Sequence, residues 1–201
     1  MKILVTAFGP FGPDAENSSL NALSSLPETI GEDTVVKAVL PVVFGRCGEV
    51  IRSLMFVIRP DAVVSLGQAA GRDSVTPELI AKNARNCTVP DNEGQIFTAD
   101  IIARDGAPQR SSTLPSDEIV GALTAAGIPA KISDSAGTYV CNDLMYSLLG
   151  CAAVPAGFIH LPVSDSIAAA RKIPVPHMDQ KDIDRAVLIA VKIVLGSLRG
   201  K

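Results

Sequence analysis

The sequence predicts an α/β protein, built as a single-domain three-layer sandwich in which helices cover both faces of a twisted, mostly parallel or mixed sheet. Short apolar runs alternate with longer amphipathic segments, which is typical of strands joined by crossover helices. Hydrophobic residues make up 47% of the chain and aromatic residues only 4%. That balance favours strands rich in Ala, Val and Ile that are buried on both faces. With 201 residues and no internal repeat, we expect residues 1–201 to form one domain.

The predicted strands are short runs of aliphatic residues that end at Gly, Pro, Asn or Asp. They are expected near residues 2–7, 35–40, 61–66, 130–133 and 156–161. Residues 82–115 contain many of the same turn-forming residues and show no helical period. Within them, residues 96–97 and 100–103 are expected to form a hairpin at the rim of a site, since long irregular segments in compact domains are usually functional.

The predicted helices are amphipathic stretches that lie between these strands or follow the last of them. They are expected near residues 18–26, 44–58, 116–126, 141–149 and 179–198. Asp179 has the side chain of an N-cap and is predicted to begin the last helix, whose isoleucine, valine and leucine residues form one broad apolar face.

Cys141 lies where a predicted strand and a turn of small residues lead into a predicted helix. Backbone N–H groups and the helix dipole at such a position favour the thiolate, which is the nucleophilic form of cysteine. A cysteine at a strand–helix junction also serves as a small buried apolar residue. Position alone therefore leaves both interpretations of Cys141 open.

The chain has two histidines, and they differ in their surroundings. His160 ends a short apolar run that Pro162 closes, which predicts the end of a buried strand, where ligand crevices of α/β sheets form. His177 precedes the last predicted helix in a surface connection. We favour His160 as a general base because it lies on a rigid element. A core histidine with satisfied hydrogen bonds is the alternative.

Glu78 is a carboxylate in apolar surroundings, with Leu79, Ile80 and Ala81 directly after it. A carboxylate in that position can accept a hydrogen bond from an imidazole, fix its tautomer and stabilise its charged form. The alternative is a solvated turn residue.

Four segments together resemble the pyroglutamyl peptidase I family, also called pyrrolidone-carboxylate peptidases, which are cysteine peptidases. They are residues 7–12 (AFGPFG), residues 67–83 with 90–94 (GQAAGRDSVTPELIAKN and PDNEG), residues 136–142 (AGTYVCN) and residues 157–160 (GFIH). The segments follow the family's order and span most of the chain.

The resemblance implies a triad of Glu78, Cys141 and His160 that acts on peptides whose amino end is 5-oxoproline. Cys141 is expected to attack the carbonyl that links this lactam to the next residue and so form an acyl-enzyme. His160 is expected to take the thiol proton and later protonate the leaving amine, while Glu78 holds the imidazole. No metal and no cofactor are expected to take part.

The resemblance also implies which residues recognise the lactam, a small flat group that needs apolar walls and few polar partners. Phe8 and Phe11 are expected to form the walls, with Tyr139 and Val140 beside the nucleophile. Gln68 is the predicted polar partner. Local packing of the two phenylalanines beneath their own loop is the alternative.

The sequence departs from the family pattern at several positions. Thr88 stands where the family commonly has arginine, and Arg85, three residues earlier, is a candidate substitute. Tyr139 replaces phenylalanine and adds a hydroxyl that needs a partner if buried. Residues 161–163 differ from the usual Pro-Tyr ending, and the chain is shortened around residues 150–156. We expect Thr88 to lower activity or to change the preferred substrate.

Composition and charge argue against nucleic-acid binding and against a membrane protein. A net charge of −3 offers no basic face for nucleic acid. No apolar run has the length of a signal peptide or a membrane span, so a cytoplasmic location with reduced cysteines is expected. The resemblance further implies a homo-oligomer, either a dimer or a tetramer.

Two other functions remain open from the sequence. The first is a non-catalytic homologue that binds lactam-like ligands, which Thr88 and the altered ending after His160 would favour. The second is a thiol hydrolase that uses the same triad on a different small amide.

Overall fold

The computed structural model describes residues 1–200 and has the predicted α/β architecture, with helices on both faces of a mixed sheet. The strands are β1 (Lys2–Phe8), β2 (Thr29–Ile30), β3 (Asp33–Leu40), β4 (Ala62–Gln68), β5 (Thr76–Glu78), β6 (Ile80–Lys82), β7 (Gln109–Ser111), β8 (Ala156–Leu161), β9 (Val163–Ser164) and β10 (His177–Met178). The helices are α1 (Ser18–Ser25), α2 (Arg46–Ile58), α3 (Ser116–Ala125), α4 (Val140–Leu149), α5 (Asp165–Ala170) and α6 (Gln180–Arg199).

The central sheet has six strands in the order β2-β3-β1-β4-β8-β5. Strand β1 runs parallel to β3 and β4, and β4 runs parallel to β8, whereas the edge strands β2 and β5 are antiparallel to their neighbours. The register places His160 opposite Gly67 on one side and opposite Thr76 on the other. The carboxyl ends of β1, β4 and β8 therefore meet at one edge of the sheet, the predicted place for a ligand crevice.

Each central strand contributes side chains to two hydrophobic layers. In β1, Ile3 and Val5 pack in the layer with α1, α3 and α6, whereas Leu4 and Phe8 pack in the layer with α2 and α4. Because successive side chains of a strand point to opposite faces, a strand covered on both faces needs a continuous apolar run. This explains why β1 and β4 are mostly apolar. Their buried hydroxyls, Thr6 and Ser65, hydrogen-bond each other at 2.9 Å.

Two expectations about the middle of the chain are wrong. Residues 130–133 do not form a regular strand, because Ala130 and Ser133 make only isolated bridges to the short outer strand region at 75–78. The hairpin at residues 96–103 is absent, because the backbone of Asp100 pairs instead with Arg85, through N···O distances of 2.8 and 3.0 Å. The segment after β6 is thus held by contacts distant in sequence.

The last helix begins as predicted, with the Asp179 side chain accepting a hydrogen bond from the backbone N–H of Lys181. Among residues 1–200, no helix is both long enough and apolar enough to cross a membrane. Within the same range, no group of three or more His, Cys, Asp or Glu side chains is arranged to hold a metal ion.

Candidate active site

A cavity of about 170 Å³ lies at the carboxyl ends of the central strands, against the first turn of α4. Seven of the eight residues proposed from the sequence line it: Phe8, Phe11, Gln68, Tyr139, Val140, Cys141 and His160. The eighth, Glu78, lies behind His160. The sequence analysis missed four further lining residues, namely Asn17, Val42, Ala69 and Ala136.

Cys141 is the second residue of α4, two positions after the N-cap Tyr139, whose backbone is extended. Its sulfur lies 3.1 Å from the point where a Cβ on Gly67 would stand. Gly67 on β4 pairs with His160 on β8. Because Gly67 has no side chain, the Cys141 thiol can approach the sheet next to the strand position of His160. Only glycine at position 67 leaves this space free.

Burial first, and the nearby Glu78 carboxylate second, together raise the pKa of the Cys141 thiol to about 12. Arg72 and the backbone N–H of Cys141 lower the pKa of the thiol, but by less. The expectation that the helix start favours the thiolate is therefore not met in the free protein. A helix dipole contributes about 0.3–1 kcal/mol at an exposed terminus, and here desolvation of the charged form outweighs it.

His160 is held by Glu78, whose Oε1 lies 2.7 Å from the imidazole Nδ1. Burial lowers the pKa of His160, while the hydrogen bond and charge of Glu78 oppose this change. The imidazole is consequently neutral at neutral pH. The carboxylate fixes the proton on Nδ1, so Nε2 keeps a free lone pair. The other histidine, His177, is exposed on β10, outside the cavity.

Arg72 contacts the same carboxylate oxygen of Glu78, at 2.7 Å. Glu78 is fully buried, and its Oε2 has no hydrogen-bond partner, so the guanidinium supplies the counter-charge that a buried carboxylate requires. Arg72 is itself fixed by a hydrogen bond to the hydroxyl of Thr76 on β5. The sequence analysis did not select Arg72, because a spacing of six residues does not by itself bring two side chains together.

Aromatic rings form the apolar walls of the cavity. Phe8 is buried and packs on Phe158 at a centroid distance of 6.4 Å, while Phe11 packs on Tyr139 at 6.3 Å. The two phenylalanines thus line the cavity and pack on rings from distant parts of the chain, rather than beneath their own loop. The Tyr139 hydroxyl, an addition to the family pattern, donates a hydrogen bond to the carbonyl of Pro90 at 2.9 Å.

Gln68 lines the cavity, but its side-chain amide is already bound at both ends. Oε1 accepts from the backbone N–H of Ser18, and Nε2 donates to Asp14, each at 2.8 Å. Asn17 is similarly engaged, with Nδ2 donating to the carbonyl of Gly9 at 2.9 Å. These amides hold the loop between β1 and α1, and each amide nitrogen retains one N–H donor for a further hydrogen bond.

The substitute proposed for the missing family arginine does not reach the cavity. Nε of Arg85 donates to the buried carboxylate of Asp143 at 2.8 Å, and the guanidinium lies 5.2 Å from the ring centroid of Phe97. Arg85 is therefore committed to holding the start of α4. Thr88 is exposed and does not line the cavity.

The segment 90–94 supports the cavity from outside. Oδ1 of Asp91 accepts from the backbone N–H groups of Glu93 and Gln95 at 2.9 Å, and Oδ2 accepts from that of Phe44 at 2.9 Å. The resulting turn fixes the carbonyl of Pro90, which receives the Tyr139 hydroxyl. These residues therefore position the wall of the cavity.

A cysteine at a helix start and a carboxylate-bound histidine, meeting at strand ends of an α/β sheet, are typical of thiol hydrolases. A family model described as pyroglutamyl peptidase matches residues 1–197. The chain is 40% identical to a pyrrolidone-carboxylate peptidase of Streptococcus suis, covering 97% of this chain and 93% of that protein. It is 38% identical to one of Levilactobacillus brevis, covering 97% and 98%.

Solved structures agree with the sequence comparisons. A mutant pyrrolidone carboxyl peptidase of Pyrococcus furiosus superposes with a TM-score of 0.94 and 36% identity, covering 98% of this chain and 100% of that one. Pyroglutamyl peptidase I of Bacillus amyloliquefaciens gives 0.91 and 33%, covering 97% of each chain. The chain belongs to the pyroglutamyl peptidase family and is a cysteine-type peptidase.

Proposed function

We propose that the protein removes an N-terminal pyroglutamyl residue from peptides through an acyl-enzyme on Cys141. Membership of the pyroglutamyl peptidase family supports the removal of pyroglutamate from peptides. The observation that carries the proposed mechanism is the 2.7 Å contact between Glu78 and Nδ1 of His160, since it leaves Nε2 as a proton acceptor beside the cavity that Cys141 lines.

The mechanism starts from a neutral thiol and a neutral imidazole. As the Cys141 sulfur attacks the carbonyl carbon between lactam and peptide, its proton moves to Nε2 of His160. Backbone N–H groups at the start of α4 stabilise the oxyanion, a contribution of about 10²–10³-fold per donor in enzymes of this kind. Glu78 stabilises the imidazolium that forms.

The tetrahedral intermediate collapses by breaking the carbon–nitrogen bond, and His160 gives its proton to the leaving amine. Water then attacks the thioester with His160 again as base, which releases 5-oxoproline and restores the thiol. General acid–base transfer of this kind contributes about 10²–10⁴-fold, so positioning of the lactam between Phe8, Phe11 and Tyr139 must supply much of the remainder.

The test is release of a fluorescent amine from a pyroglutamyl amide, compared with the corresponding proline amide. We expect the reduced protein to cleave the pyroglutamyl amide only, and Cys141→Ser to lower kcat by about 10³-fold or more. Cleavage of other small amides in preference would favour the broader thiol hydrolase. Inertness of the reduced protein towards all of them would overturn the peptidase and favour a non-catalytic binder.

We further propose that the protein is a cytoplasmic homo-oligomer, a dimer or a tetramer. Phe56 and Val57 are neighbours on α2 and are each 76% exposed, and adjoining exposed apolar side chains are typical of a protein–protein contact surface. The four cysteines are free thiols, and Cys141 must stay reduced to act. Sedimentation measurements that return the mass of one chain at all concentrations would contradict the oligomer.

A further inference from the structure

A second cleft, of about 660 Å³, lies next to the catalytic cavity and has no role in the mechanism above. One wall is the loop between β1 and α1, and the other is α5 with the segment that follows it. The lining residues are Pro13, Asp14, Ala15, Glu16, Ser166, Ile167, Ala170, Arg171, Lys172, Ile173 and Val175.

The cleft and the catalytic cavity share one dividing segment, residues 11–17. Phe11 and Asn17 line the cavity, while Pro13 and the three residues after it line the cleft. The division is also bridged by a hydrogen bond, since Nε2 of Gln68 on the cavity wall donates to Asp14 on the cleft wall at 2.8 Å. The cleft therefore begins one hydrogen bond away from the wall of the lactam pocket.

The charge of Asp14 is not available to a ligand, because Arg171 neutralises it. Nε of Arg171 donates to Oδ1 of Asp14 at 3.1 Å, and a second guanidinium nitrogen pairs with Oδ2. This ion pair ties the two walls of the cleft together. Through Asp14, Arg171 on the α5 side of the cleft is also linked to Gln68. The same hydrogen bonds therefore hold the cleft and the catalytic cavity in shape.

The surface that remains is largely apolar. Ile167, Ala170 and Val175 line the cleft together with Ile173, whose side chain is 75% exposed. Several apolar side chains that line one concave surface are typical of a binding groove. Glu16 and Lys172 complete the lining with one charge of each sign, which suits a peptide chain better than a ligand of one charge.

We propose that this cleft is the subsite for the leaving peptide and that it accepts a large apolar side chain of a residue following pyroglutamate. The inference rests on the proposed function, which puts the scissile carbonyl at Cys141 and requires the rest of the peptide to leave the cavity. Ile173 and Ala170 are the specificity-determining contacts. The preferred substrates are pyroglutamyl peptides with Leu, Ile or Phe early in the leaving chain.

The test compares pyroglutamyl-leucyl-alanine with pyroglutamyl amide, which has no leaving side chain. Loss of about 50–60 Å² of apolar contact corresponds to roughly tenfold in affinity. We expect Ile173→Asp to lower the ratio of kcat/KM for the peptide to that for the amide about tenfold. Ile101→Asp, a matched change at another exposed isoleucine that does not line the cleft, is expected to keep the wild-type ratio.

The outcomes separate this inference from the proposed function. The subsite would be overturned if Ile173→Asp kept the wild-type ratio, or if the ratio fell equally in both variants. In either case, hydrolysis of pyroglutamyl amide would still support the peptidase. Failure of the wild-type protein to cleave either substrate would overturn the proposed function itself, and the subsite with it.

Discussion

Cys141 and His160 are both uncharged at neutral pH in the free protein, because burial shifts their pKa values in opposite directions. Desolvation disfavours the thiolate and the imidazolium alike, so the resting pair stores no charge separation. The nucleophile must then form during attack, with His160 acting as a base rather than as the partner of a preformed thiolate.

The high thiol pKa predicts slow alkylation of Cys141 by iodoacetamide in the free protein. The thiolate is the reactive form, so the rate is expected to rise about tenfold per pH unit from neutral pH upwards. Mass spectrometry of the Cys141 peptide measures the rate, and Cys141→Ser identifies that peptide. A plateau of the rate near neutral pH would contradict a resting thiol.

Arg72 lowers the pKa of His160, so its removal is expected to raise that pKa. In Arg72→Gln the acid limb of the kcat/KM profile should therefore move to higher pH, since a larger fraction of His160 is protonated at each pH. Arg72→Lys retains the charge and should restore the wild-type limb. If the wild type and both variants had the same pH profile of kcat/KM and differed only in stability, Arg72 would have a structural role alone.

At the scale of elements, the start of α4 is fixed by a buried ion pair. Asp143 accepts from the backbone N–H of Gly45 at 2.6 Å and from Nε of Arg85 at 2.8 Å. Asp143→Ala leaves Arg85 with only the more distant and more exposed carboxylate of Asp100, at 4.0 Å, so we expect a loss of about 3 kcal/mol in the free energy of unfolding.

The matched control for Asp143 is the exposed pair of Arg46 and Glu93, at 2.7 Å. Glu93→Ala is expected to cost less than about 1 kcal/mol, because solvent screens the pair. Urea unfolding followed by far-UV circular dichroism measures both changes. Similar losses in the two variants would show that the Asp143 pair is no more important than a surface pair.

The contact between β4 and α4 predicts that position 67 accepts no side chain. A Cβ there would lie 2.6 Å from Cζ of Phe158 and 3.1 Å from the Cys141 sulfur. Gly67→Ala is expected to lower kcat/KM and to cost about 1–3 kcal/mol of stability. Gly121→Ala, in α3 with open space around it, should instead add about 0.5–1 kcal/mol. An unchanged kcat/KM in Gly67→Ala would contradict close packing at the nucleophile.

The elements with long periodic patterns could be predicted from the sequence, and the short ones could not. The apolar runs of β1, β4 and β8 and the amphipathic pattern of α6 are set by burial, which a sequence shows directly. Strands β5 and β6 have three residues each, and their pairing depends on partners far along the chain. Local patterns do not show such pairing.

The same distinction applies to the site. The motifs singled out seven residues that line the cavity. The rise in the pKa of Cys141, however, follows from burial, which only the fold determines. The engagement of Arg85 with Asp143 likewise depends on how two distant segments meet. Asn17 was identifiable in part, since an asparagine before a helix and after the Phe8–Phe11 loop is an N-cap signal.

At the scale of the whole molecule, we propose that the chain unfolds as one cooperative unit. Strand β8 pairs with both β4 and β5, and α6 packs on α1 and α3, so early and late parts of the chain share one sheet and its layers. Urea transitions measured by circular dichroism and by residual activity should coincide. With no Trp in the chain, tryptophan fluorescence is not an option. Two separated transitions would indicate independent domains.

The position of β8 between β4 and β5 has a consequence for synthesis in the cell. When β4 leaves the ribosome, the strand that covers its outer edge lies roughly 90 residues further on, which at typical elongation rates is about 5–20 s away. During that interval an apolar strand presents an unpaired edge, the feature that templates aggregation. The nascent chain is therefore a natural client for chaperones, and slower growth at low temperature is expected to raise the soluble yield.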